Sequence, residues 1–323
     1  MHATTYFIVL NAGSGHAETE LQRTTIEQAL TRAGRPYQLA VVDNPSELDA
    51  VAQRMVDQAK ACGGTIVAAG GDGTINAVAH KAVASGCPFG VLPQGTFNYF
   101  GRAHGIPEDL EQAVQSMLDA RPHPVQVGLV NDRVFLVNAS IGLYPRVLEE
   151  REHDKSQYGR SRLVALLSML KTALGTHQFL RIRLEVDGKE RKLRTPTLFI
   201  GNNPLQMQQL GIDHLSTALE EGELAAIAPR SVGKLGMLWL MLRGAAGKLG
   251  GADDLSAFRF KRIIVKPLTL YGTRRRIKVA TDGEVTLMNT PLVFRVLEGQ
   301  LMLLKPDAAQ QAGAAHNTTH LVA

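Results

Sequence analysis

The stretch Thr65-Ile66-Val67-Ala68-Ala69-Gly70-Gly71-Asp72-Gly73-Thr74-Ile75-Asn76 reads as an apolar strand running into a glycine-rich turn. The run from Thr65 to Ala69 is bounded by Gly63-Gly64 and has the length of a buried parallel strand. Beyond the turn, Ile75, Val78, Ala79 and Ala82 recur at helical spacing up to Ser85-Gly86, where a glycine can end a helix. Gly70, Gly71 and Gly73 therefore sit at the carboxyl end of a strand, where open α/β sheets bind ligands. They can take positive φ and leave room for a phosphate, and the helix N-terminus behind them offers free N–H groups. Asp72 is a carboxylate inside this cradle. It fits there if a cation such as Mg2+, or a hydroxyl to be deprotonated, lies between it and the phosphates. The plainer alternative is a tight turn whose Asp caps its own helix.

Outward from this turn the pattern repeats. Tyr6–Leu10 is a strand, Asn11-Ala12-Gly13-Ser14-Gly15 a second glycine-rich turn, and Ala17–Ala33 a helix. Tyr37–Val42 is a strand, and Asn44-Pro45-Ser46 opens a helix to about Ala61. Phe89–Leu92 is a strand followed by Pro93-Gln94-Gly95-Thr96-Phe97-Asn98-Tyr99-Phe100, and Pro107 opens a helix to about Leu118. This alternation predicts a doubly wound α/β domain with a parallel sheet.

After Arg121-Pro122-His123-Pro124 the pattern becomes antiparallel. Val125–Val130 and Val134–Val137 are joined at Asn131-Asp132, and Arg181–Val186 leads into a second hairpin at Asp187-Gly188. Thr197–Gly201, Glu223–Ile227, Phe258–Val265, Arg276–Ala280 and Leu292–Val296 read as further strands, with helical insertions at Arg162–Leu174 and Ser231–Leu249. The expected division is an α/β nucleotide-binding domain over 1–123, completed by about 297–306. A mostly antiparallel second domain follows over 124–296, and 307–323 is expected to be a disordered tail.

The chain has 323 residues and a net charge of +5, long enough for two domains. Cys62 and Cys87 lack metal-ligand spacing and form no disulfide framework, which points to a reducing cytoplasm. No apolar run approaches a transmembrane length and the N-terminus has no signal-peptide pattern, so a cytoplasmic protein, at most peripheral at the inner face of the membrane, is expected.

Asn11–Gly15, Gly70–Asn76 and Gly95–Asn98 should converge on one sheet edge and together suit a nucleotide polyphosphate, with Ser14, Thr74, Thr96 and backbone amides as donors. There is no Walker lysine pattern. Late in the chain stands Thr281-Asp282-Gly283-Glu284, which reads either as a hairpin tip or as the source of a general base.

The set Gly-Gly-Asp-Gly-Thr-Ile-Asn, Leu92-Pro93-Gln94-Gly95-Thr96-Phe97-Asn98 and Asp282-Gly283-Glu284 resembles the diacylglycerol kinase catalytic-domain family. Within it the chain is most similar to the soluble bacterial lipid kinases related to sphingosine kinases. The resemblance runs from about Thr4 to Pro306. It implies an N-terminal domain like that of NAD kinases, a C-terminal β-sandwich with the active site in the cleft, and transfer of the γ-phosphoryl group of ATP to a lipid alcohol. ATP would be held by Asn11, Gly13, Ser14, Gly15, Gly70, Gly71, Asp72, Gly73, Thr74, Asn76, Gly95, Thr96 and Asn98. Asp72 would lie near the transferred phosphate and its Mg2+, and Asp282 or Glu284 would take the proton. The chain departs from the family pattern at Ala12, Val42, Tyr99 and Gln126, the last two where the family commonly has aspartates. Glu220-Glu221-Gly222-Glu223 replaces Asp-Asp-Gly-Tyr at a further Mg2+ site, where Glu221 would be the ligand.

Arg259, Lys261, Arg262, Lys266, Arg274, Arg275, Arg276 and Lys278 fall together without an acid among them, which suits either solvated strand faces or an anionic membrane surface. Aromatic residues are 5%, and no stacking motif points to nucleic acid. The apolar helix around Leu235–Leu242 is expected to be buried with part of its face exposed. Two alternatives stand beside the lipid kinase: an NAD-kinase-like enzyme, and a catalytically weak nucleotide- or lipid-binding regulator. Oligomeric state is left open, a homodimer included.

Overall fold

The computed structural model describes residues 4–13, 16–145, 148, 179–186, 188–230, 234–251, 254–269, 272–273 and 275–306. The chain forms two compact units, one made of residues up to Val127 with the segment from Glu298 onward, the other of Gly128–Leu297.

In the first unit β1 (Tyr6–Asn11), α1 (His16–Arg32), β2 (Tyr37–Val42), α2 (Leu48–Cys62), β3 (Thr65–Gly70), α3 (Asp72–Ser85), β4 (Phe89–Pro93), α4 (Tyr99–Ala103) and α5 (Leu110–Asp119) follow in order. The strands pair in parallel in the order β2-β1-β3-β4. Leu303, in the last strand of the chain, pairs in parallel with Phe89. Every residue of β3 is buried, as a strand covered on both faces requires. Helix α1 packs against α5 and α2 against α3, the doubly wound arrangement that right-handed crossovers produce from this strand order. Gly63 and Gly86 end α2 and α3 in the left-handed conformation, where a side chain would be strained. Helix α4 is not anticipated from the sequence; it follows Asn98, itself left-handed at φ 47°.

Strand β5 (Arg121–Val130) leads into the second unit and forms the expected hairpin with β6 (Arg133–Phe135). Then come β7 (Asn138–Gly142), β8 (Leu180–Val186), β9 (Lys189–Thr195), β10 (Thr197–Gly201), α6 (Pro204–Gln209), α7 (Asp213–Glu220), β11 (Leu224–Pro229), α8 (Lys234–Ala245), β12 (Leu255–Phe260), β13 (Arg262–Thr269), β14 (Gly272–Thr273), β15 (Arg276–Thr281), β16 (Glu284–Asn289) and β17 (Leu292–Lys305). One sheet runs β17-β13-β8-β9 and the other β12-β11-β10-β7-β15-β16, both antiparallel. Ile182, Leu184, Ile263, Val265 and Phe294 from the first meet Ile141, Leu198, Ile200, Ala226 and Val279 from the second in one core. The α/β class with an antiparallel sandwich thus holds. The other face of the second sheet is covered by α6 and α7 through Met207, Ile212, Leu215 and Leu219, two helices beyond those expected from the sequence.

Phe258–Val265 is not one strand. Phe260 and Ile263 are both buried with exposed Lys261 and Arg262 between them, so the inward–outward alternation slips by one residue. The chain answers by leaving the second sheet at Phe260 and joining the first at Arg262. The basic stretch is divided with it: Arg259, Arg276 and Lys278 lie in one sheet, Arg262 and Lys266 in the other. It does not form a single face, and Arg274 lies outside the described residues. Strand β7 was missed because Asn138-Ala139-Ser140 lacks a β-branched pattern. The predicted helix at Arg162–Leu174 and the tail from Asp307 lie outside the described residues. Within α8, Leu240 is buried and Trp239 is 60% exposed. No helix among the described residues is long and apolar enough to cross a membrane.

Candidate active site

Register sets the geometry at the carboxyl edge of the first unit's sheet. Leu10 lies level with Ala69, and Gly70 level with Pro93, so the turns after β1, β3 and β4 begin side by side. Asn11 donates its Nδ2 hydrogen to Thr74 Oγ1 at 2.8 Å, tying the end of β1 to the first turn of α3. The Gln94 amide donates to the Gly70 carbonyl at 2.9 Å.

The glycines serve close approach, and the expected positive φ is not found at Gly70, Gly71, Gly73 or Gly95. A Cβ on Gly70 would stand 2.8 Å from the Thr74 side chain, and one on Gly95 would stand 2.9 Å from the Gly71 Cα. The two turns pack backbone on backbone, which only glycines allow. Asn98, left-handed and buried, accepts the Gly95 amide on Oδ1 at 2.8 Å, so that amide is engaged inside its own turn.

Asp72 does not cap its own helix; Gly71 is the N-cap of α3 and no side chain bonds there. The carboxylate instead accepts the backbone amides of Tyr99 and Phe100, each at 3.4 Å, and so caps the neighbouring helix α4. Burial raises the Asp72 pKa above the ordinary carboxylate value, and the amides of Phe100, Tyr99 and Asn98 offset only part of this. Burial likewise raises Tyr99, whose ring stacks on Phe97 with centroids 5.7 Å apart. His104 lies edge-on to Phe100, with centroids 4.7 Å apart, and burial, with Lys305 nearby, lowers its pKa to about 4.

Thr74 and Asn76 are buried on α3, and Gly13 lies exposed in the turn after β1. Ser14 and Gly15 lie outside the described residues. Exposed Thr96 lines a cavity of about 330 Å3 with Gln94, Gly95, Asn98, Gln22 and Glu108.

In the second unit Asp282 stands at φ 47° in the turn between β15 and β16. Its carboxylate accepts three consecutive backbone amides, Leu136 at 2.6 Å, Val137 at 2.9 Å and Asn138 at 2.8 Å. Asn202 holds the same segment by donating to the Leu136 carbonyl at 2.9 Å, and Asn138 donates to Gln206 Oε1 at 3.2 Å. Neither asparagine was singled out by sequence; Asn202-Asn203-Pro204, a helix-opening pattern, was the available signal. Glu284, on the exposed side of the turn, pairs with Arg133. Glu221 pairs with Arg259 at 2.7 Å, and Glu223 meets the same guanidinium at 3.2 Å. Among the described residues no three His, Cys, Asp or Glu side chains gather as a metal site.

Residues 5–130 match the diacylglycerol kinase catalytic domain model. The chain is 30% identical over 273 residues to a Pseudomonas syringae pv. syringae protein named "Probable lipid kinase YegS-like", covering 82% of this chain and 83% of that protein. A Cronobacter sakazakii protein of the same name is 34% identical over 142 residues, 42% of this chain and 45% of its own length. Among solved structures, a diacylglycerol kinase from Bacillus anthracis str. Sterne shares the fold with a TM-score of 0.68 at 18% identity, covering 95% of this chain and 98% of that one. Coverage by the Pseudomonas relative decides for the lipid kinases over the NAD-kinase-like alternative. The chain belongs to the YegS-like lipid kinases, and its residues 5–130 carry the match to the diacylglycerol kinase catalytic domain.

Proposed function

We propose that this lipid kinase transfers the γ-phosphoryl group of ATP to the hydroxyl of diacylglycerol or a related lipid alcohol. The observation that carries the reading is Asp72, a part-buried carboxylate where three strand-to-helix turns meet, held by two long hydrogen bonds and raised in pKa. Such a group gains from a cation beside it. One carboxylate fits Mg2+, which commonly takes one or two carboxylates and completes its shell with phosphate oxygens and water. Asp72 would hold it, and when bound the ion would neutralise charge on the phosphates. Glu221 is a poorer ligand because Arg259 already neutralises it.

Asn11, Thr74, Thr96 and the first amides of α3 position the phosphates, with Gly13, Ser14 and Gly15 beside them and Gly73 and Asn76 along the helix. Gly70, Gly71 and Gly95 supply the space, and Asn98 keeps the last turn closed. For the hydroxyl proton, Asp282 and Glu284 differ in their bonding. Three amides engage Asp282, so it shapes its turn; Glu284 bonds Arg133 through one oxygen and keeps the other to accept a proton.

The test is incorporation of labelled γ-phosphate from ATP–Mg2+ into lipid in mixed micelles of several candidate acceptors. Labelled lipid that disappears with Asp72→Asn supports the reading. No label in any lipid while nucleotide still binds would overturn it. That second outcome would favour the weakly catalytic regulator, for which Tyr99 and Gln126 speak, standing where the resemblance puts aspartates.

A further inference from the structure

One face of the β17-β13-β8-β9 sheet is cationic, and its cations face one another. Ile182 and Leu184 on β8, with Ile263 and Val265 on β13, point into the core, so the alternate residues of each strand point outward. On that outward side Arg181 lies opposite Arg194, and Arg183 lies between Lys192 on one neighbour and Lys266 on the other. Farther along, Arg262 lies opposite Arg295. The acids of this face on the described residues are Glu185 and Glu190, paired with each other across the strands and ion-paired in turn, to Lys266 at 3.8 Å and to Arg183 at 3.9 Å. Directly opposed like charges destabilise an antiparallel pair. A face needed only for solubility would set Lys opposite Glu, whereas this one sets cation opposite cation on successive strands. The repulsion is relieved when the face meets a surface of opposite sign.

We propose that this face docks against an anionic lipid bilayer. The inference rests on the lipid-kinase reading, since the acceptor of such an enzyme lies in a membrane. It takes only Arg262 and Lys266 from the 259–278 stretch, and β8 and β9 supply most of the charge. A bilayer suits the face better than nucleic acid does. Single strands are bound on open aromatic platforms, and the aromatic ring beside these cations, Phe179, already has Arg194 over it at 4.8 Å.

The test is co-sedimentation of the full chain with phosphatidylcholine vesicles, with and without phosphatidylglycerol, in the absence of ATP. Binding is expected to the anionic vesicles alone and to weaken as salt is raised. Each cation near such a surface is worth about fivefold in affinity, so Lys192→Glu with Arg194→Glu should lower binding by about 25-fold or more. Lys60→Glu, an exposed reversal on α2, should leave binding unchanged. Equal losses from both variants, or retained binding in the double variant, would overturn the proposal; so would a preference for duplex or single-stranded nucleic acid over vesicles. Both edge residues are exposed, so an unchanged melting temperature and unchanged transfer to a short-chain acceptor in free solution separate lost docking from lost folding. Vesicle binding that depends on this face without transfer to any lipid would leave the docking inference standing and remove the kinase chemistry alone.

Discussion

Asp72 and Asp282 make an instructive pair. Each is an aspartate beside glycine at a turn, and each accepts backbone amides from a segment distant in sequence. Asp282 takes three amides at 2.6 to 2.9 Å, a latch that fixes the β6–β7 junction. Asp72 takes two at 3.4 Å while burial pushes its pKa up, so its charge is incompletely satisfied. The same residue type is a fastening in one unit and a poised group in the other, and what separates them is how closely the backbone amides approach each carboxylate.

The comparison breaks most visibly at Asp72→Asn. Phosphoryl transfer should fall by about a thousandfold, read by labelled phosphate. Stability should move the other way. A folded-state pKa above the unfolded value means the folded form binds the proton more readily, so stability is greatest at low pH and declines as pH rises through the folded value. At pH 7 the wild-type chain carries that penalty and the Asn variant does not, so the variant should melt higher, with the gap closing on acidification. A variant that melts lower at pH 7 would make Asp72 a fastening like Asp282.

Asp282→Ala strands three amides and should cost about 4 kcal/mol in urea unfolding. A cost under about 1 kcal/mol would show that the latch is not needed. Gly95→Ala sharpens the contrast from the other side. It brings a Cβ to 2.9 Å from the Gly71 Cα, where backbone cannot yield. It should destabilise by about 2 kcal/mol and weaken nucleotide binding by calorimetry, with hydrogen exchange of the Leu136–Asn138 amides unchanged.

The smallest effect is expected at His104. Its lowered pKa means the fold keeps the ring neutral, so its contribution is complete above about 6.5 and is lost as pH falls towards 4. The slope of stability against pH in that window should correspond to one proton and should vanish in His104→Gln. A slope that survives the substitution would assign it to another group.

Much of this was legible in the sequence because it is local. Alternation, glycine stops and the Asn131-Asp132 hairpin are short-range signals, and three glycine-bearing turns on parallel strands had to meet at one edge. What was not legible is tertiary. That Asp72 caps α4 depends on a helix 27 residues farther along, and that Arg259 neutralises Glu221 depends on a pair 38 residues apart. The break at Lys261 is present in the spacing of Phe260 and Ile263, three apart where one strand requires two, and is masked by Phe258, Phe260, Ile263 and Ile264, which favour a strand.

The last strand carries a consequence for how the protein is made. Leu303 lies beside Phe89, roughly 200 residues earlier in the chain. During synthesis the edge of β4 therefore stays open while the ribosome translates the entire sandwich, and an unpaired strand edge invites association with other chains. The sandwich, emerging later, can close first, and the earlier-made unit is finished afterwards. A nascent chain stalled before residue 298 should expose that edge, and chaperone dependence should end once Leu303 has left the exit tunnel.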